Sequence, residues 1–303
     1  MLPDGLRARW RFCFAPICCH SCIDMTRPRQ RVLRSECGAR CTRLLKRARL
    51  HWVLKVRESA ALGQDPADKL RLGAFHTWIA FSRLRGVPTP RPVRVRLAPD
   101  AHEMVIATGG ELAVLHHILI DEEYAPRRNP QVILDLGANA GFATLFFHRR
   151  FPEARIVAVE ADPGTYRRLV RNVGSLPRVT TVHAAIAGRE GPVTFYPSAE
   201  SISSSMFPRG RTGTTVVAGL SIAKLMQEHR LQSVDLLKVD IEGAELEALR
   251  AAPLNRVGEL IAEVHYDLHR EDETAVRELL EGFEVRFVTL DEPHRALVYA
   301  VAS

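Results

Sequence analysis

The hydrophobic pattern of the chain changes character at Gln131. Before that residue, apolar positions recur every three or four residues over 42–85, which predicts mostly helical structure. The proline-rich connector GVPTPRPVRV then leads into an alternating segment, VRVRLAP, that is typical of an edge strand. After it, GGELAVLHHILIDEEY predicts a helix from near Gly110 toward Tyr124.

From Gln131 onward, short apolar runs alternate with stretches of helical spacing. The runs that predict strands are QVILDLG, ARIVAVE, VTTVHAAIA, VDLLKVD, ELIAEVHYD, EVRFVTL and ALVYAVA, with GPVTFYP as a short extra strand. Asp162, followed by Pro163, and Ser221 are placed to cap helices. Buried strands that alternate with helices predict an open α/β sheet, mostly parallel.

A glycine turn, DLGANAG, follows the first of these strands, at the edge where open parallel sheets bind ligands. Gly137 allows a tight turn and close approach of the backbone, and Gly141 lets the following helix pack near the strand. A dinucleotide fingerprint needs glycine where this chain has Asn139, which argues against NAD. Asp135, two residues before Gly137, suits a ligand with positive charge or hydrogen-bond donors.

Glu160 ends the second strand, where its carboxylate can accept hydrogen bonds from both ribose hydroxyls of an adenosine. Hydrogen bonds to a charged acceptor contribute roughly 1.5–3 kcal/mol each. NAD presents a ribose too, so Glu160 by itself does not separate the two kinds of cofactor. The alternative is an exposed acid at a helix start, ahead of Asp162.

Charged residues are distributed unevenly along the chain. The overall composition, with 46% hydrophobic and 25% charged residues, is typical of soluble globular proteins. Residues 1–57 hold 14 Lys and Arg against 3 Asp and Glu, whereas the remainder holds 28 against 32. No run reaches the roughly 20 apolar residues that a membrane helix needs. We predict a basic, partly helical N-terminal extension over 1–92 and a separate domain over 93–303.

The N-terminal extension also contains all six cysteines: Cys13, Cys18, Cys19, Cys22, Cys37 and Cys41. The stretch CCHSC lacks the two separated ligand pairs of a zinc site. A basic segment can contact nucleic acid, but no aromatic residues are interleaved in a stacking pattern, so no nucleic-acid partner is expected. The apolar patch FCFAPICC is short and interrupted by Pro16, unlike a signal peptide, which favours the cytoplasm.

Three stretches are more specific than the rest: Asp-Leu-Gly-Ala-Asn-Ala-Gly, Val-Glu-Ala-Asp-Pro and, above all, LLKVDIEGAE over Leu236–Glu245. Together they resemble the FkbM family of S-adenosylmethionine-dependent methyltransferases, from about Leu97 to the C-terminus. The resemblance implies a Rossmann-like sheet of seven strands, mostly parallel, with an antiparallel C-terminal hairpin. It also implies S-adenosylmethionine as cofactor and methyl transfer to a hydroxyl of a sugar, glycan or natural product.

Transferred position by position, the resemblance assigns the cofactor to residues at three strand ends. The methionine end would be held by four residues of the first turn: Asp135, Gly137, Asn139 and Gly141. Glu160 would hold the ribose, and Ala185 would lie beside the adenine. The family commonly has a polar residue just before this last point, where this chain has His183–Ala184.

Lys238, Asp240 and Glu242 lie at the end of the fourth strand, next to the expected position of the cofactor methyl group. Strand alternation places Lys238 and Asp240 on one face, and Lys238 can pair with Asp240 or Glu242. Asp240 or Glu242 could accept the proton of a substrate hydroxyl as general base, and His265 after the fifth strand is a further candidate. The alternative is a structural network of Lys238 with the carboxylates.

A metal-assisted mechanism needs additional oxygen ligands nearby, and no Asp-Asn pair follows the fifth strand, so no metal is predicted. The serine-rich segment Ser201–Gly210 is predicted to cover the acceptor. Two other functions stay open at this point. One is an NAD-type oxidoreductase, against which Asn139 counts. The other is a non-enzymatic nucleoside-binding module, against which the intact Asp135, Glu160 and Asp240 count.

Overall fold

The computed structural model describes residues 52–86, 91–196, 213–268, 272–290 and 294–303. The six cysteines and the segment Ser201–Gly210 lie outside the described residues, so the expectations for them stay predictions.

The described elements follow the predicted alternation of strands and helices. The first part contains α1 (52–61), α2 (Pro66–Arg85), β1 (Val93–Leu97), β2 (His102–Ile106) and α3 (Gly109–Leu119). The middle contains β3 (Val132–Leu136), α4 (Phe142–Arg150), β4 (Arg155–Glu160), α5 (Pro163–Val173), β5 (Val179–His183), β6 (Ala185–Ile186) and β7 (Gly191–Phe195). The last part contains β8 (Thr215–Leu220), α6 (Ile222–Glu228), β9 (Val234–Val239), α7 (Glu245–Arg250), β10 (Val257–His265), α8 (Glu273–Leu279), β11 (Phe283–Thr289) and β12 (Arg295–Ala302).

The main sheet has seven strands in the order β11-β12-β10-β9-β3-β4-β5. The strands β5, β4, β3, β9 and β10 are parallel, whereas β12 is antiparallel to both of its neighbours. The predicted mostly parallel sheet with an antiparallel C-terminal hairpin is thus confirmed. From β3 the strands follow outward in chain order through β4 to β5 on one side of the sheet. From β9 they continue through β10 to the C-terminal hairpin on the other side. The topological switch point therefore lies between β3 and β9.

Successive strand residues alternate between two apolar cores, one on each face of the sheet. Ile133 and Leu236 belong to one core and Leu134 to the other. Asp135 and Lys238 therefore share the face of Ile133 and Leu236. The parallel ladder of β3 and β9 also pairs Asp135 directly with Lys238. This register places two opposite charges side by side beneath the switch point.

Two helix starts confirm the predicted caps. The Asp162 carboxylate accepts a hydrogen bond of 2.7 Å from the backbone N–H of Thr165, and Pro163 is the first residue of α5. The Ser221 hydroxyl accepts one of 3.1 Å from the N–H of Lys224. Each cap satisfies an N–H group that the helix itself leaves unpaired.

Several element boundaries differ from the pattern-based prediction. The helix α3 ends at Leu119, well before Tyr124, and Glu122 has a positive φ of 51° that a helix does not allow. The apolar run VTTVHAAIA divides into β5, in the main sheet, and β6, which pairs with β8 in a separate three-stranded sheet. The strands β2 and β8 were not predicted. Each is short. The strand β2 pairs with the directly preceding β1 in a hairpin, whereas β8 pairs with the more distant β6 and β7.

The helix α2 contributes to the core on one face of the main sheet. Its buried residues Leu72, Phe75 and Ile79 belong to the same apolar core as Ile133. Among the described helices, none combines the length and the hydropathy needed to cross a membrane. The division of the chain near residue 92 stays a prediction.

Candidate active site

A pocket opens at the carboxyl ends of β3, β4, β9 and β10, where the sheet topology predicts a ligand site. Its polar lining consists of Asn139, Glu160, Lys238, Asp240, Glu242, Glu263 and Arg295. Its apolar and small lining residues include Val114, Ile118, Tyr124, Gly137, Phe142, Val159, Ala185, Ile186 and Phe195. Apolar walls with a few convergent polar groups are typical of sites for small organic ligands. The excess of carboxylates favours a ligand with positive charge.

The turn after β3 depends on glycine at Gly137. Its φ is +73°, and a Cβ atom there would lie 1.7 Å from the carbonyl oxygen of Asp240. Only glycine allows the turn to approach the end of β9 so closely. Gly141 has a φ of +94°, and a Cβ atom there would meet the side chain of Val173 on α5 at 2.9 Å, so the close packing at this position is with α5 rather than with the strand that the sequence suggested.

Glu160 is buried at the end of β4, with both carboxylate oxygens held by backbone groups. The N–H of Asn139 donates to Oε2 at 2.9 Å, and the N–H of Asp162 donates to Oε1 at 2.7 Å. Burial raises the pKa of Glu160 to about 7, although the two N–H groups oppose the shift. Each oxygen keeps a second lone pair, so the carboxylate can still accept hydrogen bonds from a ligand in the pocket.

Lys238 is nearly fully buried and connects β9 to the turn after β3. Its Nζ donates to the carbonyl oxygen of Gly137 at 2.8 Å and lies 3.2 Å from Oδ1 of Asp135. Oδ2 of Asp240 is farther away, at 3.9 Å. Burial alone would lower the pKa of Lys238, but Asp135 and Asp240 raise it. The sequence had suggested Asp240 or Glu242 as the partner of Lys238, whereas the nearest carboxylate belongs to Asp135.

Asp135 lies below the pocket rather than in its lining. Its side chain has no exposed surface, and Oδ2 accepts a hydrogen bond of 2.6 Å from the hydroxyl of Thr144 on α4. Together with its ion pair to Lys238, this contact connects β3, α4 and β9. Asp135 is therefore positioned to stabilise the conformation of the turn after β3.

Asp240 faces the pocket directly after β9, with a quarter of its side chain exposed. The hydroxyl of Tyr124 lies 3.3 Å from its Oδ2. Burial, with Asp240 as a further cause, raises the pKa of Tyr124, so the phenol stays a donor. Nothing in the sequence around Tyr124 pointed to the site, because the contact joins residues far apart in the chain.

His265 ends β10 and is completely buried behind the pocket lining. Its Nδ1 lies 2.9 Å from Oε1 of Glu245, and its Nε2 lies 3.5 Å from carboxylate oxygens of Glu242 and Glu263. Burial opposes a charged imidazole, but the three glutamates, Glu245 foremost, raise the pKa of His265 to about 9. Glu245 stands in the LLKVDIEGAE stretch, yet no role was predicted for it from the sequence.

Most of the predicted site residues converge on this pocket. Gly137, Asn139, Glu160, Ala185, Lys238, Asp240 and Glu242 line it. Asp135 and His265 lie immediately behind the lining, and Gly141 starts α4. Sequence reasoning missed Tyr124, Glu245 and Arg295. Tyr124 contacts Asp240, Glu245 contacts His265, and Arg295 donates a hydrogen bond of 3.2 Å to Glu263. Each contact joins residues that no local motif connects.

Comparison with known proteins agrees with this geometry. A family described as the methyltransferase FkbM domain matches residues 135–286, which covers half of the chain and contains all the strand ends of the pocket. The chain belongs to the FkbM methyltransferase family. The predicted resemblance is thereby confirmed, and the domain is a methyltransferase domain.

Three relatives of this FkbM chain are informative. Methyltransferase 1 of Beauveria bassiana is 35% identical over 46% of this chain and 67% of its own length. The 2-O-methyltransferase NoeI of Sinorhizobium fredii is 28% identical over 39% of this chain and 56% of its own length. The hexuronic acid methyltransferase AglP of Haloferax volcanii is 26% identical over 54% of this chain and 66% of its own length. The matched regions thus span between about half and two thirds of these relatives.

Proposed function

We propose that the protein is an S-adenosylmethionine-dependent methyltransferase that methylates a hydroxyl group of a sugar, glycan or natural product. The observation that carries this proposal is the convergence of Glu160 and Asp240 on one pocket at the switch point of the sheet. The two relatives named 2-O-methyltransferase and hexuronic acid methyltransferase support an oxygen acceptor on a sugar.

The residues present fit the proposed cofactor. The oriented Glu160 carboxylate suits the two ribose hydroxyls, and Ala185 offers a small apolar contact for the adenine. The turn over Gly137–Gly141 would hold the methionine end through its backbone, while Asp135 and Lys238 keep the turn in place. The acidic lining suits the positive charge of a sulfonium group.

When bound, S-adenosylmethionine supplies an electrophilic methyl group, which passes to the acceptor oxygen as its C–S bond breaks and a C–O bond forms. The acceptor hydroxyl must lose its proton in that step, and Asp240 is the proposed general base because its carboxylate faces the pocket. The Tyr124 hydroxyl orients that carboxylate. Orientation of the reactants can supply roughly 7–11 kcal/mol of the barrier reduction.

Calorimetric titration with S-adenosylhomocysteine, NAD and NADP tests the cofactor. We expect saturable binding of S-adenosylhomocysteine alone. Binding of NAD or NADP instead would favour an oxidoreductase and contradict the proposal. Binding of S-adenosylhomocysteine without methyl transfer to any of a panel of sugars, glycans and natural products would favour a nucleoside-binding module.

The base assignment predicts that Asp240→Asn lowers the single-turnover rate by about 10²–10⁴-fold, because the amide cannot accept the proton. Affinity for S-adenosylhomocysteine should change much less. Asp121→Asn, which removes an exposed carboxylate before β3, is the matched control and should keep the rate. A normal rate in Asp240→Asn, with loss of rate in His265→Gln, would show that the base is not Asp240.

A further inference from the structure

The buried side of the pocket contains an imidazole nitrogen with no hydrogen-bond partner. Nε2 of His265 is inaccessible to solvent and has no such partner among the described residues. It points instead toward carboxylate oxygens of Glu242 and Glu263, each 3.5 Å away. A buried polar atom left unpaired has a substantial free-energy cost, so this arrangement calls for a group between Nε2 and the carboxylates.

The other nitrogen of the same ring is oriented by a second carboxylate. Nδ1 of His265 lies 2.9 Å from Oε1 of Glu245, which has no exposed surface and also accepts a hydrogen bond of 2.8 Å from the N–H of Gly243. A proton on Nδ1 leaves the lone pair of Nε2 directed at the acidic cluster. A carboxylate that fixes the tautomer of a histidine in this way is the usual support of a metal-binding imidazole.

Two carboxylates complete a possible ligand set around Nε2. Asp240, Glu242 and His265 each offer one ligand atom, and these atoms lie within 4.8 Å of one another. Ligand atoms at roughly 2.0–2.2 Å from a shared metal ion are themselves about 3–4 Å apart, so the 3.5 Å between Nε2 and Glu242 needs little adjustment. Asp240 and Glu242 also line the pocket, which gives an ion an entry path.

We propose that Asp240, Glu242 and His265 bind one divalent transition-metal ion at the acceptor side of the pocket. One imidazole with two carboxylates suits ions such as Mn²⁺ or Zn²⁺ better than Ca²⁺, which prefers oxygen ligands alone. The role of the ion rests on the proposed function: it would bind the oxygen of the acceptor hydroxyl, lower its pKa and hold it beside Asp240. The sequence pointed away from a metal because no Asp-Asn pair follows the fifth strand.

A protonated His265 is the competing explanation of the same distances. An imidazolium would carry a proton on Nε2 and form ion pairs with Glu242 and Glu263 without any metal. The two explanations differ in one measurable property, because only a metal site that includes Nε2 gives saturable metal uptake that both Glu242→Gln and His265→Gln weaken.

The test is a titration of the full chain with Mn²⁺ after treatment with a chelator, in the absence of cofactor and acceptor. Free Mn²⁺ is followed by electron paramagnetic resonance. We expect one ion per chain, with affinity lowered at least 10-fold in Glu242→Gln and in His265→Gln. Glu281→Gln removes an exposed carboxylate after α8 and should bind Mn²⁺ as the unaltered chain does.

Absence of saturable uptake up to millimolar Mn²⁺ and Zn²⁺, or equal uptake by all variants, would overturn the proposal in favour of the imidazolium. If His265→Gln does not fold, Glu242→Gln alone decides between these outcomes. A parallel titration with S-adenosylhomocysteine in the presence of chelator separates the two proposals. Cofactor binding without metal uptake would refute only the metal site, whereas metal uptake without cofactor binding would refute only the proposed function.

Discussion

The carboxylate of Glu160 should make the proposed binding of S-adenosylmethionine depend on pH. Burial raises the pKa of Glu160 to about 7; the N–H groups of Asp162 and Asn139 oppose the shift, as does Lys238, and only the charge of Asp162 adds to it. Ribose hydroxyls donate best to the ionised form, so a bound cofactor stabilises the deprotonated state. The affinity for S-adenosylhomocysteine should therefore rise as the pH rises through 7 and fall below it.

Calorimetry at pH 6 and pH 8 checks this prediction, with Glu160→Gln as the control. The variant should bind S-adenosylhomocysteine at least 10-fold more weakly at pH 8, about 1.4 kcal/mol, and should lose most of the pH dependence. Equal affinities of the unaltered chain at both pH values would contradict a ribose contact by Glu160.

The ion pair between Lys238 and Asp135 predicts a loss of stability in Lys238→Met. The substitution leaves the fully buried Asp135 carboxylate without its cation, which costs roughly 3–5 kcal/mol in comparable buried pairs. Urea denaturation measures the free energy of unfolding. Lys224→Met, which removes a partly exposed ion pair to Glu228, should cost about 1 kcal/mol or less. Similar values for both variants would mean that the buried pair contributes little.

The contact between two elements, the turn after β3 and the end of β9, is tested by Gly137→Ala. The new Cβ would overlap the carbonyl oxygen of Asp240, and the positive φ of 73° adds about 1–2 kcal/mol of strain. We expect the free energy of unfolding to fall by at least about 3 kcal/mol, because core clashes add to the strain.

Gly86→Ala is the matched control for that substitution. Gly86 ends α2 with a φ of +61° but has no atom within 4 Å of the position of a Cβ, so only the strain applies. Both variants are compared by urea denaturation. A loss in Gly137→Ala no larger than in Gly86→Ala would show that the turn can move away from β9.

For the whole molecule, the open question is whether the chain divides near residue 92. Phe75 on α2 shares a core with Ile133 of the main sheet, so Phe75→Ala should lower the free energy of unfolding by about 3–5 kcal/mol. Because S-adenosylhomocysteine stabilises the unit that binds it, the melting temperature in its presence reports on the sheet itself. A lower melting temperature for cofactor-bound Phe75→Ala than for the cofactor-bound unaltered chain would show that α2 belongs to the same folding unit as the sheet.

Leu84→Ala, at an exposed position of the same helix, should change the free energy of unfolding by less than about 0.5 kcal/mol. An unchanged melting temperature of the cofactor-bound Phe75→Ala variant would instead support the predicted division of the chain.

Much of the fold was predictable because its signals are local. The period of apolar residues identifies the strands β3, β4, β9, β10, β11 and β12, and the caps Asp162 and Ser221 are set by neighbours within three residues. The short strands β2, β6 and β8 were not predictable in the same way. Strands of two to six residues carry too little pattern to be recognised, and β6 and β8 also depend on pairing with each other across a long stretch of chain.

By itself, the sequence determined which strand ends carry charge and glycine, and hence where Glu160, Asp240 and the turn at Gly137 would lie. It did not determine which charges meet. Lys238 pairs with Asp135 because the order of the sheet places β9 beside β3, and His265 faces Glu242 because β10 lies beside β9. Strand order results from packing both faces of the whole sheet, whereas hydrophobic periodicity reports only on one segment at a time. The partners in the site, and with them its proposed metal ligands, were therefore decided by the tertiary structure alone.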